Sequence, residues 1–155
     1  MSSLDQLYQQ VILDHSKERH GCGPVDGLAA TSHQVNPTCG DEVTLGVTLA
    51  GDGRIQRLAW DGEGCSISQA SLSMLSDLVD GKSPEEVRSL FQAMETMMHS
   101  RGQGVPDDVL DTLEDAAALE GSSQFANRVK CALLGWYALR DAMTKLGTDI
   151  QGGTR

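Results

Sequence analysis

Four residues of this sequence could together bind a metal ion. They are the cysteines Cys39, Cys65 and Cys131 and the carboxylate Asp41, which lies two residues after the first cysteine. Three thiolates and one carboxylate supply the four ligands that a tetrahedral Zn²⁺ site requires. The sequence contains no phosphate-binding glycine loop, no HExxH helix and no GxSxG elbow. The cysteines are therefore the residues that best indicate a chemistry.

The spacing of the cysteines does not establish a metal site by itself. Between Cys39 and Cys65 there are 25 residues, between Cys65 and Cys131 there are 65, and no CxxC pair is present. Cysteine is also among the most buried residue types, so each of the three could be an ordinary core residue. The local sequence favours metal binding, because each cysteine is predicted at a turn, at a helix start or beside an arginine.

A small antiparallel sheet is predicted to position the first pair of ligands. Apolar residues alternate with polar ones from Val43 to Leu49, which is typical of a strand with one buried face. Gly51-Asp52-Gly53 predicts a hairpin turn, and a return strand begins at Ile55, with an irregularity before Leu58. Residues 28–35 are expected to add a third strand. Cys39 and Asp41 would then lie in the turn before the central strand.

Helices are predicted for most of the remaining chain, over residues 4–18, from Ile67 to near Gly81, from Ser83-Pro84 to about His99, from Pro106 to about Leu119, and over 123–146. Cys65 would lie at a helix start, where the dipole favours a thiolate. Cys131 would follow Arg128 by one helical turn, so that the guanidinium could stabilise a neighbouring anion. The predicted fold class is α+β: a three-stranded antiparallel sheet with an N-terminal helix and several C-terminal helices packed on it. Residues 1–155 are expected to form a single domain, with 149–155 as a frayed tail.

Composition limits the classes of partner. The formal net charge of −10 and the pI near 4.6 argue against nucleic-acid binding, and they fit either a basic protein partner or an acidic surface that serves solubility. No apolar run is long enough to span a bilayer, and the N-terminus does not resemble an export signal. Four cysteines in a chain of this length then favour reduced thiols, so we expect a cytoplasmic protein without membrane association.

The residues around the cysteines resemble those of a known family. The run Asn36-Pro37-Thr38-Cys39-Gly40-Asp41, the run Gly62-Glu63-Gly64-Cys65 with Ser66 to Ser71, and the Arg128-x-x-Cys131 helix are similar to the IscU/NifU-N family of iron–sulfur cluster assembly proteins. The resemblance extends from the first helix to about Leu146. Lys130 replaces the histidine that precedes the third cysteine in IscU scaffolds, and a long insertion lies between the second and third cysteines. Both departures resemble the SufU branch of the family.

The resemblance implies a function and a role for each ligand. In the SufU branch, Zn²⁺ is held by residues that correspond to Cys39, Asp41, Cys65 and Cys131, and the protein accepts sulfur from a cysteine desulfurase of the SufS type. A desulfurase histidine replaces Cys39 on the zinc, and the freed thiolate attacks the persulfide. Cys39 is the acceptor by resemblance, since the sequence alone does not distinguish it from Cys65. Downstream SUF assembly proteins are possible further partners.

Several alternatives remain open at this stage. The same ligands could assemble a transient [2Fe–2S] cluster or hold iron, or the zinc could be purely structural. Arg128 could pair with Asp41 or the Cys39 thiolate when the metal changes ligands, or it could be an ordinary surface arginine. Cys22, flanked by glycines, is interpreted as a free thiol. The histidines His15, His20, His33 and His99 are interpreted as structural, although each could replace Asp41 as a ligand.

Overall fold

The structure is a computed structural model that describes residues 3–150. Its sheet has three antiparallel strands in the order β1-β2-β3, with β1 at Ala30–Asn36, β2 at Asp41–Leu49 and β3 at Ile55–Glu63. This confirms the predicted α+β class and the antiparallel sheet. Thr48 pairs with Arg57 whereas Leu49 pairs with Ile55, so Gln56 has no partner on β2. The irregularity predicted before Leu58 is therefore a one-residue bulge at the start of β3.

Five α-helices accompany the sheet among the described residues: α1 Ser3–Glu18, α2 Ser66–Val79, α3 Pro84–Met98, α4 Asp107–Leu113 and α5 Ala126–Lys145. The start of α3 shows how local sequence fixes a boundary. The Ser83 hydroxyl accepts a hydrogen bond from the Glu86 amide, and the Glu86 carboxylate accepts one from the Ser83 amide. Pro84 occupies the first turn, where its missing N–H costs no hydrogen bond.

The segment before α5 differs from the prediction of one helix ending near Leu119. The α4 helix ends at Leu113, and a 3-10 helix follows over Glu114–Gln124. Glu114 has φ +49°, a left-handed conformation that interrupts the regular α-helical hydrogen bonding. Burial of the 116–119 stretch then holds the tighter helix in place. The 3-10 helix runs to Gln124 and Phe125 is extended, so α5 begins at Ala126, three residues after the predicted start.

The core lies between the sheet and the helices α2, α3 and α5. On β2 the apolar side chains of Val43, Leu45 and Val47 are fully buried, as the alternating pattern predicts. The α5 helix packs on β1 and β2 and also contacts α2. At the α2–α5 contact, a Cβ on Gly135 would lie 2.4 Å from a methyl carbon of Leu72, so a glycine is required for this close approach.

The end of the described chain is docked rather than frayed. Ile150 is fully buried, and the backbone oxygen of Asp149 accepts a hydrogen bond of 2.7 Å from the Arg88 guanidinium. The predicted tail therefore does not begin at 149, while residues 151–155 lie outside the described residues. No helix within 3–150 is long and apolar enough to cross a membrane.

Candidate metal centre

The β1–β2 hairpin presents Cys39 and Asp41. Asn36 and Asp41 pair across the two strands, so residues 37–40 form the connection. The Cys39 amide donates a hydrogen bond of 3.3 Å to the Asn36 carbonyl, which closes a tight turn. Gly40 has φ +71°, a conformation that glycine adopts without strain. The short turn holds Cys39 at the hairpin tip, and its side chain is half-buried.

Cys65 lies at the N-terminus of α2 and is joined directly to Asp41. Its backbone amide donates a hydrogen bond of 2.9 Å to Asp41 Oδ1. The preceding residue, Gly64, passes so close that a Cβ there would lie 2.3 Å from the same oxygen. A glycine is therefore needed for the β3–α2 connection to reach Asp41. The free amides and the positive end of α2 favour an anion at this position.

Cys131 approaches the other residues from α5. It lies one helical turn before Gly135, the residue that lets α5 pack closely on α2. Its side chain is 1% exposed, and the Asn36 side-chain amide donates a weak hydrogen bond to its Sγ over 3.6 Å. The α2–α5 contact thus brings Cys131 to the helix start that carries Cys65.

The structure brings three of the four predicted ligands within reach of one another and places the fourth, Cys65, beside two of them. The ligand atoms of Cys39, Asp41 and Cys131 lie within 4.8 Å of one another. The thiol of Cys65 interacts directly with that of Cys131. Ligands at the usual zinc distances would be about 3.3–3.8 Å apart in a tetrahedral site, so the donor atoms of Cys39, Asp41 and Cys131 lie close to that spacing.

Asp41 is a buried carboxylate with neutral hydrogen-bond donors. It is 0% exposed, and it accepts hydrogen bonds from the Cys65 amide, the Ser68 hydroxyl at 3.2 Å and the Asn36 amide at 3.3 Å. Burial disfavours the anion, but these donors and the Cys131 thiol outweigh it and hold the pKa of Asp41 below its ordinary value. Within 3–150 no cationic side chain forms an ion pair with it.

Cys131 shows the opposite behaviour. Burial, together with its hydrogen bonds to Asp41, Cys39 and Cys65, raises the pKa of its thiol far above the ordinary value. A divalent cation would reverse this preference, because coordination deprotonates a thiol outright. An ionised buried carboxylate without a cation, surrounded by three thiols, is the donor set that a thiophilic divalent ion such as Zn²⁺ fits.

Arg128 does not pair with Asp41 or Cys39 in this conformation. Its guanidinium carbon lies 4.6 Å from the ring centre of Phe125, and its side chain is exposed. The Asp41 carboxylate oxygens instead accept hydrogen bonds from Asn36, Cys65 and Ser68. Arg128 remains close to the cluster, since it lines the same cleft as the three cysteines.

The cluster opens on one side into a cleft of about 1130 Å³. The cleft walls are formed by α1, the turn at Gly102–Gly104, the end of the 3-10 helix and the first turn of α5. Cys39, Cys65 and Cys131 all reach it. Asp41 is absent from the lining and lies behind the cysteines. Molecules that enter the cleft would therefore meet sulfur before they meet the carboxylate.

The other predicted thiol lies elsewhere. Cys22 is exposed and forms a β-bridge with Trp60 rather than joining the cluster. His33 is exposed and pairs with Glu42, and His99 ends α3. The sequence did not predict the role of Asn36 and Ser68, which donate hydrogen bonds to the Asp41 carboxylate. Asn36 stands within the Asn-Pro-Thr-Cys-Gly-Asp motif, and Ser68 lies three residues after Cys65, so both were detectable as motif residues but not as partners.

Comparison with known proteins agrees with this geometry. The profile of the NifU-like N terminal domain matches residues 7–132. The iron-sulfur cluster assembly scaffold protein IscU of Streptococcus pyogenes serotype M1 is 40% identical over 145 residues, which is 94% of this chain and 87% of that protein. The zinc-dependent sulfurtransferase SufU of Bacillus subtilis strain 168 is 40% identical over 144 residues, 93% of this chain and 94% of that protein.

A solved structure gives the same result. The putative iron-sulfur cluster assembly scaffold protein for the SUF system from Fervidobacterium islandicum AW-1 superposes with a TM-score of 0.72 at 31% identity, over 92% of this chain and 99% of that one. The resemblance seen in the cysteine motifs is thereby confirmed, and the chain belongs to the family of NifU-like N-terminal domains, together with its IscU and SufU relatives.

Proposed function

We propose that this chain is a zinc-dependent sulfur acceptor that takes persulfide sulfur from a cysteine desulfurase of the SufS type during iron–sulfur cluster assembly. The observation that carries the proposal is the unequal exposure of the four clustered residues. Asp41 and Cys131 are buried, whereas Cys39 and Cys65 are half-buried and line a wide cleft, Cys39 at a hairpin tip and Cys65 at a helix start. The family resemblance selects Cys39 of these two as the acceptor. The 40% identity to a protein named a zinc-dependent sulfurtransferase supports the same activity.

Cys39, Asp41, Cys65 and Cys131 would hold the zinc. When bound, the ion would keep the three sulfur atoms as thiolates at neutral pH. The chain itself supplies the shape of the site. Asn36, Ser68 and the Cys65 amide fix the Asp41 carboxylate, and Gly135 sets the depth of Cys131. Supporting residues of this kind hold the ligands in place before the metal binds.

The proposed transfer is a thiol–disulfide exchange at Cys39. Its thiolate attacks the outer sulfur of the desulfurase persulfide, the bond between the two desulfurase sulfurs breaks, and the desulfurase cysteine leaves as a thiolate. A persulfide then remains on Cys39. No external oxidant or reductant is required, because one sulfur–sulfur bond forms as another breaks.

The cleft is the proposed route for the desulfurase cysteine. It is about 1130 Å³ in volume and exposes Cys39 together with the guanidinium of Arg128, which can attract the anionic persulfide. A cytoplasmic location is part of the proposal, because free thiols and sulfur transfer both require a reducing compartment. Downstream SUF assembly proteins are the proposed recipients of the sulfur.

A scaffold role on the same ligands is the second candidate. The Streptococcus pyogenes relative at 40% identity is named a scaffold protein. Three thiols that face one cleft could also hold a transient [2Fe–2S] cluster. Metal analysis of protein purified without air distinguishes the two, because bound zinc supports transfer whereas a visible iron–sulfur absorption supports assembly.

The decisive experiment locates the transferred sulfur. The zinc-loaded protein is incubated with desulfurase and cysteine, and peptides are mapped by mass spectrometry under conditions that preserve persulfides. We expect the extra sulfur on Cys39, and a Cys22→Ser control to behave like the wild type. Sulfur found on Cys65 or Cys131 instead, or equal desulfurase stimulation by a Cys39→Ser variant, would refute the assignment.

A further inference from the structure

A second group of potential metal ligands lies away from the cysteines. His15 comes from the last turn of α1, His20 from the turn that follows, and Asp77 from the C-terminal part of α2. One ligand atom from each residue lies within 4.8 Å of the others. We propose that His15, His20 and Asp77 form a second binding site, for a first-row divalent transition ion. This inference stands apart from the proposed function, because it shares no ligand with the cysteine cluster.

The imidazole of His15 is fixed before any ion binds. The residue is 5% exposed, with Nδ1 2.7 Å from the Ser73 hydroxyl oxygen and Nε2 3.0 Å from Asp115 Oδ2. Ser73 lies one helical turn before Asp77 on α2, so it orients His15 toward the helix that carries the carboxylate. An ion would replace one of these two partners, and the remaining hydrogen bond would orient the ring, as is usual for histidine ligands in metal sites.

His20 is fixed by its backbone as well as by its ring. Its amide donates a hydrogen bond of 2.9 Å to the Ser73 hydroxyl, and its carbonyl accepts one of 2.8 Å from the Trp60 indole. Its Nδ1 lies 2.7 Å from Asp77 Oδ2, and its ring stands edge-on to that of His15 at 5.0 Å between centres. The turn is therefore anchored to both β3 and α2, which places the imidazole beside Asp77.

The surroundings of the two rings are anionic. Besides Asp77, the carboxylates of Glu18 and Asp115 contact the imidazoles, and Glu114 lines a small cleft of about 130 Å³ beside His15. The neighbouring cation, Arg19, turns away to stack 5.1 Å from the Trp60 ring centre and to donate to the Gly62 carbonyl. An excess of carboxylates around two imidazoles favours a bound cation.

An ordinary histidine–carboxylate pair looks different. His33 and Glu42 form such a pair on the sheet surface, with one imidazole, one carboxylate and 2.6 Å between the paired atoms. At the proposed site two imidazoles and the Asp77 carboxylate lie within 4.8 Å of one another, while His15 is also paired with Asp115 and His20 with Glu18. A divalent ion would bind a nitrogen of each ring and an oxygen of Asp77 at once, whereas the pair on the sheet offers only two donors.

Donor chemistry limits the ion. Two imidazole nitrogens and one carboxylate oxygen suit Zn²⁺, Fe²⁺ or Co²⁺ better than Mg²⁺ or Ca²⁺, which prefer oxygen ligands alone. Asp77 follows Cys65 by 12 residues along α2, so the two sites are separated by about 18 Å of helix. Binding at one site is therefore expected to leave the ligands of the other in place.

The test is a titration of the zinc-loaded protein with Co²⁺, whose absorption reports its ligands. We expect one equivalent to bind with the weak visible bands of nitrogen and oxygen ligation and without the intense thiolate-to-cobalt band. His20→Ala and Asp77→Asn should each weaken this binding by tenfold or more, whereas His33→Ala should match the wild type. His20 and Asp77 are partly exposed, so these variants are expected to fold.

Three results would overturn the proposal. Cobalt could appear only with the thiolate band, which would mean that it had replaced zinc at the cysteines. His20→Ala could bind as tightly as the wild type. His33→Ala could weaken binding as much as His20→Ala, which would show that the ion is shared among surface histidines.

Discussion

The two ends of α2 carry two different polar clusters. At its N-terminus Cys65 contacts Asp41 and Cys131, which lie close to Cys39, and near its C-terminus Asp77 lies close to His15 and His20. The first cluster has soft sulfur donors, a buried carboxylate and a wide cleft. The second has nitrogen and oxygen donors beside a cleft about a tenth of that size. One helix thus contributes to two groups of donors of different chemical type.

Protons occupy the two clusters for different physical reasons. At Cys131 the largest effect is burial, which disfavours the thiolate and so raises the pKa of the thiol. At His20 the largest effect is the hydrogen bond that the ring donates to Asp77, which together with Glu18 stabilises the imidazolium and raises the pKa. A metal ion must displace a proton in both cases. The cysteine cluster gains more from the exchange, because its buried carboxylate has no cation of its own among the described residues.

The largest effect is expected when the deepest sulfur ligand is removed. Cys131→Ser keeps the size of the side chain but replaces a soft thiolate with a hydroxyl that binds zinc poorly. Zinc affinity should fall by more than about a hundredfold, beyond the 10–100-fold typical of losing a residue that merely supports a ligand. Competition with a chromophoric chelator measures this, with Cys22→Ser as the control. Retention of wild-type affinity would remove Cys131 from the ligand set.

The next effect concerns a residue that supports Asp41. The Ser68 hydroxyl donates to Asp41 Oδ1 over 3.2 Å, so Ser68→Ala removes one of the hydrogen bonds to that oxygen and leaves the one from the Cys65 amide. Zinc affinity should fall by about tenfold or somewhat more. Ser66→Ala is the matched control, because Ser66 is an exposed serine in the same helical turn. Equal affinities for the two variants, measured with the same chelator, would mean that Ser68 does not orient the carboxylate.

The contrast between the clusters also explains what the sequence could predict. Cys39, Asp41 and Cys65 stand in short contiguous motifs next to predicted strands and helices. The alternation of apolar and polar residues from Val43 to Leu49 predicted the strand β2 that follows the first motif. The sequence therefore predicted the α+β fold, and three of the four residues predicted as ligands, Cys39, Asp41 and Cys131, lie within reach of one another. The second cluster forms only when α1 packs on α2 and brings His15 and His20 to Asp77, a contact that no local pattern records.

The segment before α5 shows another limit. Helical periodicity predicted one helix to about Leu119, but propensity cannot reveal that Glu114 adopts a positive φ or that burial selects a 3-10 helix after it. Arg128 is similar, because its stacking on Phe125 depends on the conformation of the residues that enter α5. Tertiary packing decided both features, and periodicity reports only which face of an element is apolar.

A pH experiment sharpens the comparison at the second cluster. The raised pKa of His20 means that its charge stabilises the fold fully below about pH 6.5, the ordinary value, and that this stabilisation is lost as the pH rises through the raised value. The stability difference between the wild type and His20→Gln should therefore shrink from pH 5.5 to pH 8.5. Urea denaturation without added divalent ions measures it. Asp77→Asn should remove most of this pH dependence, and a constant difference would contradict the assigned cause.

The smallest effect is expected at Arg128, and it tests whether the cysteine cluster is self-sufficient. The Arg128 guanidinium stacks on Phe125, and the Asp41 carboxylate already accepts hydrogen bonds from Asn36, Cys65 and Ser68. Arg128→Ala should therefore change zinc affinity by less than about twofold, well below the cost of losing a supporting residue such as Ser68. A tenfold loss in the same chelator competition would show instead that Arg128 turns from Phe125 toward the ligands when metal is bound. The Arg128 guanidinium would then be part of the metal site. An unchanged affinity would instead leave the guanidinium available in the cleft to bind an incoming anion.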